Sequence, residues 1–372
     1  MNQVLDTAYK DSKNHYHILD GLRGVAAVMV VLFHILEIFS NGDHSKQLIN
    51  HGYLAVDFFF VLSGFVIAYA YDDRWSKMSL KEFAKRRLIR LHPMIIIGMI
   101  VGAATFYFQG GNLYPMIDDV PVGTMLLIMF IGFTLIPVPP SMDIRGWVEM
   151  HPLNGPAWSL FFEYIANICY ALFLRKFSNT VLIVIAFIAG GLLIHMAVTH
   201  GDIIGGWSLY PEQLRIGFTR LAYPFIAGML LSRLIKPGNI QQAFLICSIL
   251  LLVVFCIPWV GGHDAKWMNG LYDSLIVILV FPLIVYLGAS GKVSGVSEKV
   301  CNFLGNISYP IYITHYPFIY IFMAWAQNGE RTANEIMTNA AVTFVVCMVV
   351  AYLSYKLYDV PVRKWLSNKF MK

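Results

Sequence analysis

Charge is scarce in this chain of 372 residues: Asp, Glu, Lys and Arg together make up 13% of it. Soluble globular domains carry about 25%. So few charges cannot cover a water-facing surface, which excludes a soluble globule. Cysteine is sparse as well. Cys169, Cys247, Cys256, Cys301 and Cys347 sit in or beside apolar runs and show no CxxC spacing. They read as small buried hydrophobes, so neither a disulfide framework nor a metal site is expected. The chain has no internal repeat, no low-complexity tract and no soluble domain. No small-residue cleavage site follows its first apolar run, which reads as a retained helix rather than a signal peptide.

Apolar sequence is what the chain has in abundance. Hydrophobic residues make up 58%, and the mean hydropathy is +0.62. A helix needs about 20 apolar residues to cross a bilayer core of about 30 Å. Candidate spans are 18–39, 53–70, 93–108, 158–174, 181–197, 217–234, 243–260, 271–289, 303–324 and 340–357. The apolar segment 124–136 is shorter and suits a re-entrant, interfacial or buried helix. The expected fold class is all-α: a polytopic transmembrane bundle with about ten crossings and one partial helix. Residues 1–17 then form a cytoplasmic N-terminal segment, 18–358 the transmembrane domain and 359–372 a cytoplasmic tail.

Charge placement sets the orientation. The stretch 71–92 carries Arg74, Lys77, Lys81, Lys85, Arg86, Arg87 and Arg90, and the positive-inside rule makes it cytoplasmic. With 124–136 taken as non-crossing, 21 of the 27 Lys and Arg fall at the inner face and both termini are cytoplasmic. The net charge of +5 is therefore spread along a membrane border. Anionic lipid headgroups are its expected partners, and nucleic acid is not. The long outer connection 137–157 is a candidate wall or lid for a site.

Ionisable residues at membrane depth are costly and face a cavity, a partner or a pathway. Arg23 and His34 are eleven residues apart in the first span. On a helix they share one stripe, roughly 16 Å apart along the axis. Taken singly, Arg23 also reads as a snorkelling cation and His34 as a packing histidine. Asp57 near the outer end of the second span is placed to pair with His34, or it serves as a helix N-terminal acid. Arg86, Arg87 and Arg90 stack at i,i+3 and i,i+4 and repel unless an anion such as phosphate sits between them. Lipid binding and topology are the other account of these three. Glu163, one and a half turns into its span, is expected in the outer half with Arg220 as a partner. Tyr312 and His315 share a helical face, where ordinary hydrogen bonding is an equal account.

Five elements, in order, resemble the acyltransferase family 3 of membrane proteins. They are Leu19-Asp20-Gly21-Leu22-Arg23-Gly24 with His34, Val56-Asp57-Phe58-Phe59-Phe60-Val61-Leu62-Ser63-Gly64-Phe65, Arg86-Arg87-Leu88-Ile89-Arg90-Leu91-His92-Pro93, Trp158 to Glu163, and Ser308-Tyr309-Pro310-Ile311-Tyr312-Ile313-Thr314-His315. His92 stands where that family usually has an aromatic residue. The resemblance implies an O-acyltransferase moving an acetyl group from cytoplasmic acetyl-CoA to a hydroxyl of a carbohydrate or glycolipid. It would act in a bacterial cytoplasmic membrane, without a metal. Some members carry a fused extracytoplasmic esterase-like domain, and none is expected in this chain. Arg23, Arg86, Arg87 and Arg90 would hold the CoA phosphates. His34 would be the general base, oriented by Asp57 or Glu163. Ser63, Trp158, Arg220, Tyr312 and His315 would contact substrate. A transient acetyl-histidine is a variant of the same scheme. The competing class is a transporter or channel that uses the intramembrane charges as a pathway. The identity of the acceptor and the oligomeric state are not legible in the sequence.

Overall fold

A computed structural model of the protein describes residues 15–236, 238–262 and 264–371. Most of the expected N-terminal segment 1–17 lies outside the described residues. The first three helices are α1 (His17–Leu36), α2 (Ala55–Tyr71) and α3 (Leu80–Thr105). The short α4 (Val122–Phe133) follows, and then α5 (Ala157–Leu172), α6 (Asn179–His200), α7 (Pro211–Leu234) and α8 (Ala243–Cys256). α9 (Trp267–Leu275) continues through a π-helical turn, Ile276–Val280, into α10 (Phe281–Ala289). α11 (Gly295–Thr314) and α12 (Tyr316–Gln327) follow. α13 (Ala333–Leu353) then runs through a second π-helical turn, Ser354–Asp359, into α14 (Val360–Phe370). The described residues hold no β-strand, only an isolated bridge between Ile240 and Gly291.

Seven helical stretches among the described residues are long and apolar enough to cross a membrane: His17–Leu36, Gly52–Tyr71, Leu80–Gln109, Asn179–His200, Pro211–Leu234, Trp267–Ala289 and Ala333–Phe370. The chain is a multi-pass, all-helical membrane protein. The other expected spans fall on shorter or more polar helices: α5, α8 and the α11–α12 pair. α4 has 12 residues. At 1.5 Å per residue it is about 18 Å long, short of the roughly 30 Å hydrocarbon core.

Small residues let the key helices approach closely. α1 and α11 run side by side, and a side chain at Gly24 would collide with the backbone of Leu304. α2 and α7 meet in the same way at Gly64, which faces the Phe225 carbonyl. α3 starts at a capping box in which Ser79 accepts from the Glu82 amide while the Glu82 side chain takes the Ser79 amide. The stretch 80–92, expected as loop, is therefore helical and carries its arginines into the bundle.

The expected span 303–324 is broken at His315, between α11 and α12. Pro317 has no amide hydrogen to give to the Ile313 carbonyl. That carbonyl accepts instead from Asn154 Nδ2 at 2.7 Å. Asn154 belongs to the connection 137–156, which is a folded wall rather than a loose lid. Its Arg145 is buried over the Tyr320 ring at 3.5 Å and donates to Gln109 and to the Pro152 carbonyl. Tyr320 donates to Glu149 at 2.6 and 2.7 Å. Burial raises the Glu149 carboxyl to about 7 against the lowering effect of Arg145. Burial also lowers His151, in the same wall, to about 3.

Candidate active site

α1 and α11 run in parallel from a basic end to the opposite end, and the residues of interest lie along their seam. At the basic end Arg23 donates Nε to Ser308 Oγ at 2.8 Å and Nη2 to the Gly305 carbonyl at 3.0 Å. It also pairs with Asp20 at 2.9 Å. The close approach at Gly24 is what brings these α11 atoms within reach. Arg90, on the third turn of α3, has an exposed side chain within electrostatic range of Arg23, Arg363, Asp359 and Asp20. Arg363 pairs with Asp359, one turn earlier, and its Nε is buried without a partner. Among the described residues three cations thus meet two carboxylates, which leaves a net positive mouth. Arg363 and Asp359 were not legible as site residues, because they lie where a cytoplasmic tail was expected. Only their i,i+4 spacing hinted at a helix that returns to the bundle.

The other arginines of α3 do not all join this mouth. Arg87 Nη2 donates to Glu163 Oε1 at 3.0 Å, and Ser63 Oγ donates to the same oxygen at 3.0 Å. Glu163 is therefore held toward the basic end, away from His34 and from Arg220. This corrects the expected pairing of Glu163 with Arg220. The connection 137–156 plunges into the bundle before α5 begins, so α5 starts deeper than its sequence position implied. Arg86, one residue before Arg87, lies on the neighbouring face of α3.

Asp57 is also paired differently from expectation. It is buried and bound by Arg220, with Nη2 to Oδ2 at 2.6 Å and Nε to Oδ1 at 3.2 Å. Arg220 also donates to the carbonyls of Tyr53 and Gly205, and it lies 5.2 Å from the centre of the Trp158 ring. This bidentate clamp ties α2 to α7 and to the α6–α7 connection, and the carboxylate partner of Asp57's expected mate His34 is Glu37 instead. Tyr312, at the middle of the seam, shares a 2.7 Å hydrogen bond with Ser159 and packs edge-on against Phe59.

His34 takes its carboxylate from its own helix. Its Nδ1–H donates to Glu37 Oε2 at 2.8 Å, at i,i+3. Glu37 Oε1 accepts from His44 Nε2–H at 3.1 Å, in the turn after α1. Burial alone would raise the Glu37 carboxyl, but the charge and hydrogen bonds of His34 and His44 hold it at about 2. With Nδ1 carrying the proton toward Glu37, the lone pair of neutral His34 is on Nε2. Its ring stacks on His315 at 5.6 Å and meets Tyr316 edge-on at 4.7 Å. His315 donates Nδ1–H to the carbonyls of Ile311 and Tyr312, so its buried and unpartnered Nε2 is also a lone pair. Glu37 went unseen because it lies inside the expected span 18–39, whose helix in fact stops at Leu36. The His34–Glu37 spacing was the available signal. His44 had none, since only the chain reversal after α1 brings it back.

A positive mouth, a seam of small and hydroxylated side chains, and a carboxylate-oriented imidazole thus lie along one pair of membrane helices. The sequence model of the Acyltransferase domain matches residues 16–356, and the chain belongs to this acyltransferase family. Among similar curated proteins, "O-acetyltransferase OatA" of Staphylococcus aureus is 23% identical over 369 residues, which is 93% of this chain and 57% of that protein. The chain thus spans little more than half the length of that relative. "Protein 2 in picA locus" of Rhizobium radiobacter is 35% identical over 164 residues, 41% of this chain and 80% of that protein. No solved structure matches.

Proposed function

We propose that this protein is an O-acetyltransferase that passes an acetyl group from acetyl-CoA, taken up at the basic end, to a carbohydrate hydroxyl at the His34 end. The basic end is then cytoplasmic, both termini are inside, and the membrane is a bacterial cytoplasmic membrane. The observation that carries this reading is the His34–Glu37 hydrogen bond of 2.8 Å at the far end of the helix that bears Arg23. Arg23, Arg90 and Arg363 suit the phosphates of CoA, since Arg offers a planar fork of donors to phosphate oxygens. The thin pantetheine arm follows the seam past Ser308 and Tyr312 toward His34.

The acceptor hydroxyl attacks the thioester carbonyl. The new C–O bond forms as the C–S bond breaks. The hydroxyl proton moves to His34 Nε2 and from there to the departing thiolate, which leaves as CoA thiol. An imidazole suits this exchange because its ordinary pKa, about 6.5, lies near neutrality. A positioned general base is typically worth about 10²–10⁴-fold. Glu37 fixes the tautomer and stabilises the imidazolium as it forms.

The experiment is acetylation of surface glycans in cells carrying His34→Ala at matched protein level, read by mass spectrometry as the mass added per acetyl group. The proposal expects acetylation to disappear. Acetylation at the wild-type level would remove His34 from the reaction.

A further inference from the structure

The His34 end holds a cavity of about 440 Å³ that neither the seam nor the basic mouth includes. It is an open cleft bordered by the turn after α1 and by the α6–α7 and α8–α9 connections. Asp43, His44, His200, Asp202, Trp259 and Lys266 line it. Its volume falls in the range of about 300–1,000 Å³ typical of small-molecule sites.

Three features define what fits. The first is a braced aromatic surface. Trp259 stacks on His51 with ring centroids 6.0 Å apart and planes 10° apart. His51 is buried and bound to Asp273 at 3.1 Å. Asp273 also accepts from Tyr53 at 2.9 Å and from the Ile203 amide at 3.3 Å. One buried carboxylate therefore holds both the support beneath Trp259 and the neighbouring connection.

The second feature is charge balance. Asp202 accepts from His200 at 3.1 Å and from the Ile204 amide at 2.8 Å. Asp43 pairs with Lys46 at 2.8 Å. The two carboxylates are already compensated, and Lys266 adds a cation to the rim. A multiply charged anion would meet both acids, and a cation would meet Lys266 and the histidines. A neutral ligand rich in hydroxyls matches the alternating donors and acceptors, and its C–H face packs against the ring.

The third feature is the route to the reacting atoms. His44 lines the cavity and donates to Glu37, whose other oxygen holds His34. A ligand seated here is one carboxylate away from the base.

We infer that this cavity is the acceptor subsite, and that it holds a neutral saccharide unit stacked on Trp259 while the next unit presents its hydroxyl to His34. The inference rests on the transferase reading above. Its test uses Trp259→Ala, Trp259→Phe and Ser45→Trp, the last filling the cavity from Ser45, which also lines it. Two quantities are measured: the Kd of purified protein for acetyl-CoA, and acetylation of surface glycans at matched protein level. Trp259→Ala and Ser45→Trp should lower glycan acetylation by about tenfold, as expected for a lost stacking contact. Both should leave the acetyl-CoA Kd unchanged, and Trp259→Phe should retain most acetylation. Wild-type acetylation in both Trp259→Ala and Ser45→Trp would overturn the subsite, as would a loss of acetyl-CoA binding in Ser45→Trp. Failure of the wild-type protein to bind acetyl-CoA would instead sink the transferase reading, a result in which the variants play no part.

Discussion

The two ends of α1 carry charge in opposite ways. At the basic end, among the described residues, Arg23, Arg90 and Arg363 share two carboxylates, Asp20 and Asp359, so cationic capacity is left over. At the other end, one carboxylate, Glu37, is shared by two histidines. An excess of fixed charge binds a ligand of opposite sign, whereas a balanced and oriented imidazole moves a proton. On the proposed reading, donor binding falls to one end and chemistry to the other, with about 16 Å of helix between them.

The largest expected effect lies outside both ends. Arg220→Ala strands a buried Asp57 and should destabilise the protein by about 3–5 kcal/mol. Thermal unfolding in detergent should report it, with donor binding and transfer declining together. A loss of transfer alone at unchanged stability would place Arg220 in the chemistry. Next comes Glu37→Gln, which replaces a charge-assisted bond worth about 1.5–3 kcal/mol. The transfer rate should fall about ten- to hundredfold at unchanged acetyl-CoA Kd. An equal loss of donor affinity would erase the contrast between the ends.

Smaller still, Arg90→Ala and Arg363→Ala should each weaken acetyl-CoA binding by about three- to tenfold, since both act in a partly screened mouth. Transfer at saturating donor should stay near the wild-type rate. The smallest effect is in pH. Glu37 is held at about 2, below its ordinary 4.5. A depressed carboxyl stabilises the fold above its unfolded pKa, and that contribution is lost as pH falls through the folded one. The stability gap between wild type and Glu37→Gln should therefore shrink as pH falls below 4.5. A gap that does not shrink below pH 4.5 would contradict the assignment.

How much of this was legible in the sequence follows from the range of each interaction. The Arg23–His34 stripe was legible because both residues sit on one helix, where spacing fixes direction. The i,i+3 and i,i+4 spacing of Arg86, Arg87 and Arg90 was legible for the same reason, although the helix that carries them was expected as loop. Partner choice across helices was not. Asp57, Glu163, Arg87 and Arg220 offered several neutral pairings, and only close packing such as that of Gly64 against Phe225 selects the pairs that form. The break at His315 was hidden because the Ile313 carbonyl that Pro317 leaves without a donor is satisfied by Asn154, more than a hundred residues away. Trp259 and His44 gave no signal, since the cavity they line exists only where three connections converge.

The most direct test of the division between the ends is one pair of measurements on purified His34→Ala protein: acetyl-CoA Kd, and the rate of acetyl transfer to a glycan acceptor. The account predicts wild-type donor affinity with transfer reduced by about 10²–10⁴-fold. Transfer at the wild-type rate, or a donor affinity that falls together with it, would contradict that division.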